Sequence, residues 1–239
     1  MANSYFSFKQ FTIHQERSAM KVCTDACILG AWTATKIENN NEVKNILDIG
    51  TGTGLLSLML AQKSNARIDA VELNEDAASQ AIENIEQSPW SERIQVFNSK
   101  IQQFDTANKY DLIISNPPFF EDDLRSDDHK KNDAKHDTAL TLQELLNAIK
   151  KNLSATGFAS ILIPYNRTVY FKNIAEIEGL FINEILKIKQ SPTHSFFRSV
   201  IILAGIKKEY KEEILIINDE QRQYPEAFKA LLKDYYLNL

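Results

Sequence analysis

The sequence predicts an α/β fold with a mostly parallel, seven-stranded sheet and helices on both of its faces. Short apolar runs alternate with amphipathic segments from residue 45 onward, which is typical of parallel strands joined by helices. The last two predicted strands are joined by residues 190–197, and we expect an antiparallel C-terminal strand there. The chain has 239 residues, 44% of them hydrophobic and 25% charged, so it can bury one large core.

Each predicted element has its own local pattern. Strands are predicted where short runs are apolar or alternate in polarity, at residues 45–49, 67–73, 94–98, 110–115, 158–164, 181–189 and 198–207. Helices are predicted at residues 26–32, 55–62, 75–87, 141–153, 169–178 and 221–239. We expect Thr24 or Asp25 to cap the first of these helices and Asn74 to cap the third.

The order of these elements predicts a single domain over residues 1–239. Residues 5–8 and 11–14 are predicted to form two short strands that precede the alternating pattern. The domain is expected to have three parts: an N-terminal cover segment (1–45), a core (46–210) and a C-terminal helical tail (211–239).

Several classes of protein are excluded by local composition. The first twenty residues lack an apolar core, and no run of eighteen apolar residues occurs, so we expect neither a secretory signal nor a membrane helix. Cys23 and Cys27 cannot complete a zinc site alone, and the four histidines have no metal spacing, so no metal is expected. This cysteine usage fits the cytoplasm, and we expect a monomer.

The charge is unevenly distributed along the chain. A net charge of −5 argues mildly against an obligate nucleic-acid binder. Residues 187–211, however, carry six Lys and Arg against Glu209 alone, which is typical either of an anion-binding surface or of a solvated sheet edge. Residues 121–137 contain seven acidic and four basic residues and are predicted to be a mobile loop or lid.

Three glycines follow the first core strand. Gly50, Gly52 and Gly54 allow the backbone to approach a ligand at the start of the next helix. Their G-x-G-x-G spacing differs from the G-x-G-x-x-G of dinucleotide sites, and no Gly-Lys-Ser/Thr follows as in a P-loop. The loop therefore favours a small neutral or zwitterionic ligand over a pyrophosphate.

Two acidic residues accompany this glycine loop. Glu72 lies 22 residues after Gly50, at the end of the second core strand, where it can accept hydrogen bonds from both hydroxyls of a ribose. Asp48 precedes the loop and could meet a ligand cation directly or through water. A tight turn with two surface carboxylates is the alternative interpretation.

This combination resembles the class I methyltransferases, which have a Rossmann-like fold and use S-adenosylmethionine. The resemblance implies that the glycine loop holds the methionine part of the cofactor and that Glu72 holds its ribose. Ser99, with Lys100 or Ile101, would flank the adenine. The implied cofactor-binding residues are Lys21, Thr24, Asp25, Asp48, Gly50, Gly52, Gly54, Leu55, Glu72, Leu73, Ser99 and Asn116.

Asn116-Pro117-Pro118-Phe119 follows the fourth core strand and resembles the (Asn/Asp/Ser)-Pro-Pro-(Tyr/Phe) motif of amino methyltransferases. The resemblance implies that these four residues are catalytic. An exocyclic amine conjugated to a ring is a weak nucleophile, because its lone pair is delocalised. The Asn116 side-chain oxygen and the Pro117 carbonyl can accept its two N–H bonds, and Phe119 can stack on the base. Positioning then favours a direct in-line methyl transfer.

Three families share this motif: adenine-N6 enzymes, guanine-N2 enzymes of ribosomal RNA and glutamine-N5 enzymes of release factors. Residues 8–13 and 19–32 resemble the bacterial family that methylates N6 of adenosine 37 in tRNA1(Val), although Cys23 stands where glycine is expected. The resemblance is strong through residue 120 and fades after 165.

This resemblance implies a tRNA partner that is bound at its anticodon region. The other two amino substrates remain alternatives, as does an RNA assembly factor that binds S-adenosylmethionine without turnover. The candidate RNA contacts are Lys9, Arg17, Lys21, the basic stretch 187–211 and the loop 121–137.

Overall fold

The computed structural model describes residues 3–18, 20–38, 40–118 and 140–239. Within these ranges, two strands form an N-terminal hairpin and eight form one sheet. The hairpin strands are β1 (Tyr5–Ser7) and β2 (Thr12–His14). The sheet strands are β3 (Asn45–Ile49), β4 (Arg67–Glu72), β5 (Ile94–Asn98), β6 (Tyr110–Ser115), β7 (Leu153–Pro164), β8 (Phe181–Lys189), β9 (Phe196–Ala204) and β10 (Lys211–Ile216). Their order is β10-β8-β9-β7-β6-β3-β4-β5.

The sheet confirms the α/β class and corrects its strand count from seven to eight. Strand β9 is antiparallel to both neighbours, as expected, and the other sheet pairings are parallel. The additional strand is β10, which pairs in parallel with β8 at one edge, so the antiparallel strand is not the last. Its first four residues are exposed and mostly charged, and therefore lack the apolar pattern of a core strand.

The C-terminal segment therefore differs from the predicted helical tail. Residues 211–216 are strand β10, and the α-helix within 221–239 is confined to the short stretch Glu226–Leu232. Tyr235 and Phe228 are buried against the main core, and this contact holds the segment on the domain.

Six α-helices in the described ranges cover the sheet: α1 (Thr24–Ile37), α2 (Leu55–Ala61), α3 (Glu75–Glu86), α4 (Leu142–Asn152), α5 (Thr168–Ile177) and α6 (Glu226–Leu232). Helices α1, α2, α3 and α6 contribute to one apolar core, and α4 and α5 contribute to a second core on the opposite face. None of these helices has the length and apolar character needed to cross a bilayer, as far as the described residues go.

The helix caps follow the prediction in one case and differ in the other. Asn74 caps α3, accepting a hydrogen bond of 2.9 Å from the Ala77 amide. Helix α1 instead has Cys23 at its N-cap position, without a side-chain cap, and Thr24 and Asp25 already lie in its first turn. The prediction of a Thr24 or Asp25 cap was therefore wrong, because the helix begins at Thr24 and includes both residues.

Helix α1 attaches the N-terminal cover segment to the sheet. Its Gly30 packs against Met59 of α2 so closely that a Cβ added at Gly30 would lie 2.6 Å from the Met59 sulfur. Thr33, on the same helix, shares a buried hydrogen bond of 2.6 Å with Ser160 of β7. These two contacts pack the cover segment against α2 and β7.

We expect Gly30→Ala to lower the free energy of unfolding by about 1–3 kcal/mol, because the added methyl group overpacks the contact with Met59. Helix propensity alone would favour alanine by about 1 kcal/mol, so the sign of the change is informative. Chemical denaturation followed by circular dichroism measures it.

The control is the same substitution in a Met59→Ala background, where the space is open. There Gly30→Ala should cost less than in the wild-type chain, since the two sites are coupled through one contact. A wild-type chain stabilised by Gly30→Ala would contradict this account of the packing.

Candidate active site

The sequence-predicted site residues converge at one edge of the sheet. The glycine loop follows β3, Glu72 ends β4, and Asn116 follows β6. Strand β3 pairs in parallel with both β4 and β6, so their carboxyl ends lie side by side. This is the edge at which open α/β sheets bind ligands.

The glycine loop has a backbone conformation that other residues rarely adopt. Gly50, Gly52 and Gly54 have φ values of 73°, 56° and 84°. A Cβ added to Gly50 or Gly52 would meet no atom within 4 Å, so the loop faces open space there. Gly54 occupies the N-cap position of α2, and Leu55 begins that helix with a buried side chain.

Asp48 is fully buried, which corrects the alternative of a surface carboxylate. Its Oδ2 atom accepts hydrogen bonds from the Thr51 hydroxyl at 2.6 Å and the Ser57 hydroxyl at 2.7 Å. Its Oδ1 atom has no partner in the described part of the chain. Burial raises the pKa of Asp48 to about 6, although the two hydroxyl groups oppose the shift.

Thr51 and Ser57 are site residues that the sequence analysis missed. Ser57 is buried in the otherwise apolar helix α2, and a lone polar residue in such a run is a signal for a polar contact.

Glu72 is connected to the glycine loop by its carboxylate. The Oε2 atom accepts a hydrogen bond of 2.9 Å from the Gly52 amide, and Oε1 accepts one of 2.9 Å from the Asn74 amide. The side chain is half-buried, so it links the end of β4 to the loop and still reaches solvent.

Asn116 has an unpartnered acceptor at the end of β6. Its Oδ1 atom is buried and has no hydrogen-bond partner among the described residues. Its Nδ2 atom lies 3.6 Å from the Met20 sulfur, in the segment that leads into α1. Pro117 is buried and Pro118 half-buried, while Phe119 and residues 121–137, for which a mobile loop or lid was predicted, lie outside the described residues.

Lys21 and Asp25 are occupied by contacts within the protein. The Lys21 ammonium donates to the Ser18 carbonyl at 3.1 Å and to the Gln15 carbonyl. The Asp25 Oδ2 atom accepts a hydrogen bond of 2.9 Å from Nε of Arg198 in β9. Thr24 is half-buried beside Asp25 in the first turn of α1. The sequence analysis missed the pairing of Asp25 with Arg198.

Leu73 and Ser99 both lie beside Glu72, Leu73 with an exposed apolar side chain and Ser99 with polar groups that form hydrogen bonds. The Leu73 side chain is 42% exposed, and its carbonyl accepts a hydrogen bond of 3.0 Å from the Asn98 amide group. The Ser99 amide donates to the Glu72 carbonyl at 3.0 Å, and its hydroxyl donates to the Lys100 carbonyl at 3.1 Å. Asn98 is a further residue at this edge that the sequence analysis missed.

The cysteines do not form a reactive centre in this fold. Burial raises the pKa of both Cys23 and Cys27 to about 12, so their thiols stay protonated at neutral pH. No group of three His, Cys, Asp or Glu side chains in the described segments has the arrangement of a metal site.

Comparison with known proteins agrees with this geometry. The methyltransferase small domain family matches residues 33–163. A Cytophaga hutchinsonii protein named tRNA1(Val) (adenine(37)-N6)-methyltransferase is 42% identical over 243 residues, which cover all of both chains. A Flavobacterium psychrophilum protein of the same name is 38% identical over 98% of this chain and 100% of its own length.

The fold also matches solved structures of methyltransferases. A crystal structure described as a predicted O-methyltransferase from Agrobacterium tumefaciens superposes with a TM-score of 0.67 and 16% identity, covering 90% of this chain and 100% of its own. At that identity the likeness shows the fold alone. On the full-length sequence matches, together with the small-domain family, this chain belongs to the tRNA1(Val) (adenine(37)-N6)-methyltransferase family.

Proposed function

We propose that this chain transfers a methyl group from S-adenosylmethionine to N6 of adenosine 37 in tRNA1(Val). The observation that carries the proposal is the Oδ1 atom of Asn116, which is buried without a hydrogen-bond partner among the described residues and lies next to the end of β3, where the glycine loop begins. A buried acceptor without a partner is costly and suggests that a ligand donor completes it. The names of the full-length relatives give the substrate. We further propose that the chain acts in the cytoplasm as a monomer.

The residues present suit S-adenosylmethionine, which would supply a methyl group on a positively charged sulfur. Asp48 Oδ1, which also has no partner within the described ranges, suits the ammonium group of its methionine part, directly or through water. The open face of Gly50 and Gly52 leaves room for the same part, and Glu72 would exchange or share its amide hydrogen bonds with ribose hydroxyls. Ser99 and Leu73 would border the adenine.

The target amine would be held by acceptors alone. Asn116 Oδ1 would accept one of its N–H bonds, and the Pro117 carbonyl would accept the other, which directs the nitrogen lone pair toward the methyl group. Proline lacks an amide hydrogen, so this turn offers no competing donor at Pro117 or Pro118. Stacking of Phe119 on the base completes the proposed set.

Incubation of the chain with tritiated S-adenosylmethionine and unmodified total tRNA tests the proposal directly. We expect N6-methyladenosine in a single valine tRNA, and Asn116→Ala should lower kcat by about 10²–10³-fold, as for loss of one preorganised hydrogen bond. The affinity of Asn116→Ala for S-adenosylmethionine should stay within about twofold of the wild-type value, because the Asn116 oxygen is assigned to the target amine. Nucleoside analysis and calorimetry measure the two quantities.

Asn108→Ala is the matched control, because Asn108 is exposed in the irregular segment before β6. This control variant should have the wild-type kcat and the wild-type affinity for S-adenosylmethionine. Full turnover of Asn116→Ala would refute the assigned role, and methylation of ribosomal RNA or a release factor instead of tRNA would refute the proposed substrate.

Glu72→Gln should weaken binding of S-adenosylmethionine by about 10–100-fold. The amide keeps the size of the side chain, but it can no longer accept hydrogen bonds at both ends, so one of the Gly52 and Asn74 amides loses its partner. Isothermal titration with S-adenosylmethionine measures the change. Glu75→Gln, at an exposed position on α3, is the control, and equal affinities of the two variants would exclude a role of Glu72 in binding.

The pKa of Asp48, raised to about 6 by burial, predicts a pH-dependent affinity for S-adenosylmethionine. An ammonium group favours the ionised carboxylate, so the affinity should rise as the pH increases from about 5 to about 7. The expected gain approaches tenfold, because the ionised fraction rises from about a tenth to nearly one. Calorimetry at several pH values measures it.

Asp48→Asn is the control for this titration, since its amide does not ionise in that range. Its affinity should be lower at pH 7 and nearly independent of pH. A pH profile in Asp48→Asn that matches the wild-type profile would assign the titration to another group.

A further inference from the structure

The fold divides the basic stretch 187–211 between two opposite sides of the sheet, one at each end of its strands. Lys187 and Lys189 lie at the carboxyl end of β8, and Arg198 lies near the start of the antiparallel strand β9. These three residues are therefore at the same edge as the candidate active site. Lys207 and Lys208 follow the end of β9 and lie at the opposite edge.

Two aromatic rings lie among the lysines at the active-site edge. The ring centroids of Tyr165 and Phe196 are 5.1 Å apart. The Lys187 ammonium lies 5.8 Å from the Tyr165 ring and 5.7 Å from the Phe196 ring, and the Lys189 ammonium lies 5.7 Å from Phe196. These distances are within the range of cation–π attraction, which holds the charged groups over an aromatic surface.

A cavity of about 440 Å³ opens next to this cluster, between α5, β8 and β10. Its polar lining includes two tyrosines, two lysines, an amide and one carboxylate: Tyr165, Asn166, Lys172, Lys187, Tyr210 and Glu212. Ligand pockets of about 300–1,000 Å³ are typical for small molecules, so the cavity is large enough for one nucleotide.

The charge around the cavity suits a polyanion. Residues 164–172 and 187–198 together contain five Lys and Arg and no acidic residue. Among the described residues, two acids pair with these basic groups: Glu212, 2.7 Å from the Lys187 ammonium, and Asp25, paired with Arg198. Since the whole chain has a net charge of −5, a nucleic acid would be attracted to such a local excess of positive charge and not to the protein as a whole.

The cavity is close enough to the candidate active site to hold the same RNA molecule. Strand β6, which leads into Asn116, is separated from β8 by β7 and β9. Three interstrand spacings of about 4.8 Å give about 15 Å, a distance that a few nucleotides of a single strand can bridge.

We propose that the cavity and the Tyr165–Phe196–Lys187–Lys189 cluster bind a nucleotide of the substrate RNA that flanks the methylated adenosine. The base stacks on the aromatic rings, and the neighbouring phosphates contact Lys172, Lys187 and Lys189. This inference rests on the proposed function for its RNA, and it adds the surface that holds that RNA.

The test compares Lys187→Ala/Lys189→Ala with Lys207→Ala/Lys208→Ala, which removes the same charge from the opposite edge of the sheet. Binding of unmodified tRNA is measured by fluorescence anisotropy over a range of KCl concentrations. The first variant should bind tRNA on the order of tenfold more weakly than wild type. The slope of the logarithm of its binding constant against the logarithm of the KCl concentration should be smaller in magnitude by about 1.4, since each phosphate that a lysine no longer neutralises removes about 0.7. The second should match wild type in both quantities.

Two further variants keep the test decisive if the double variant is unstable. Lys172→Glu changes an exposed lining residue, and Tyr165→Leu removes the ring while keeping an apolar side chain. Each should weaken tRNA binding and raise the KM for tRNA with little change in kcat. The reason is that the contact stabilises the bound ground state and the transition state equally. Binding of S-adenosylmethionine should be unchanged in both.

The outcomes separate this inference from the proposed function. If the wild-type chain methylates tRNA and all cavity variants bind tRNA normally, the inference is wrong and the proposed function stands. If the wild type methylates another RNA and the cavity variants bind that RNA more weakly, the inference stands and the substrate is revised. An absence of RNA binding by the wild type overturns the inference.

Discussion

The conformation of the glycine loop depends on hydrogen bonds to the carboxylates of Asp48 and Glu72, and the geometry of the candidate site depends on that loop. The Glu72 carboxylate accepts from the Gly52 amide on one side, and the Asp48 carboxylate accepts from Thr51 and Ser57 on the other. These contacts connect the ends of β3 and β4 with the start of α2. Each carboxylate accepts a hydrogen bond from a loop residue. The same groups that are proposed to bind the cofactor therefore hold the unusual backbone of the loop in place.

The opposite side of the site depends on α1 and on its long-range contacts. The Asp25–Arg198 ion pair joins the first turn of α1 to β9, and the Thr33–Ser160 hydrogen bond joins the same helix to β7. Helix α1 also packs on α2, the helix after the glycine loop, through Gly30 and Met59, so it connects the glycine-loop half of the sheet with the half that carries the basic and aromatic residues. The Asn116 side chain lies between these two halves, near Met20.

The central strands could be predicted from sequence, because their patterns are local. The bounds of β3, β5 and β6 agree with the apolar runs between turn residues, and the glycine loop and Asn116 lie at the edge that the strand order implies. Strand β10 was missed because an edge strand can form with a single buried residue, here Leu215 near its end. The burial of Asp48 and the Asp25–Arg198 pair depend on residues distant in the chain or on packing, which no local pattern encodes.

Strand β10 also affects how this protein behaves at high concentration. Its unpaired side offers backbone donors and acceptors to any other strand, and Ile214 is 55% exposed there. The strand begins with Lys211, Glu212 and Glu213, all exposed. A second chain that extended the sheet at this edge would have to desolvate these charges, which disfavours edge-to-edge aggregation. The charged start of β10, which conceals the strand in the sequence, thus helps to end the sheet at eight strands.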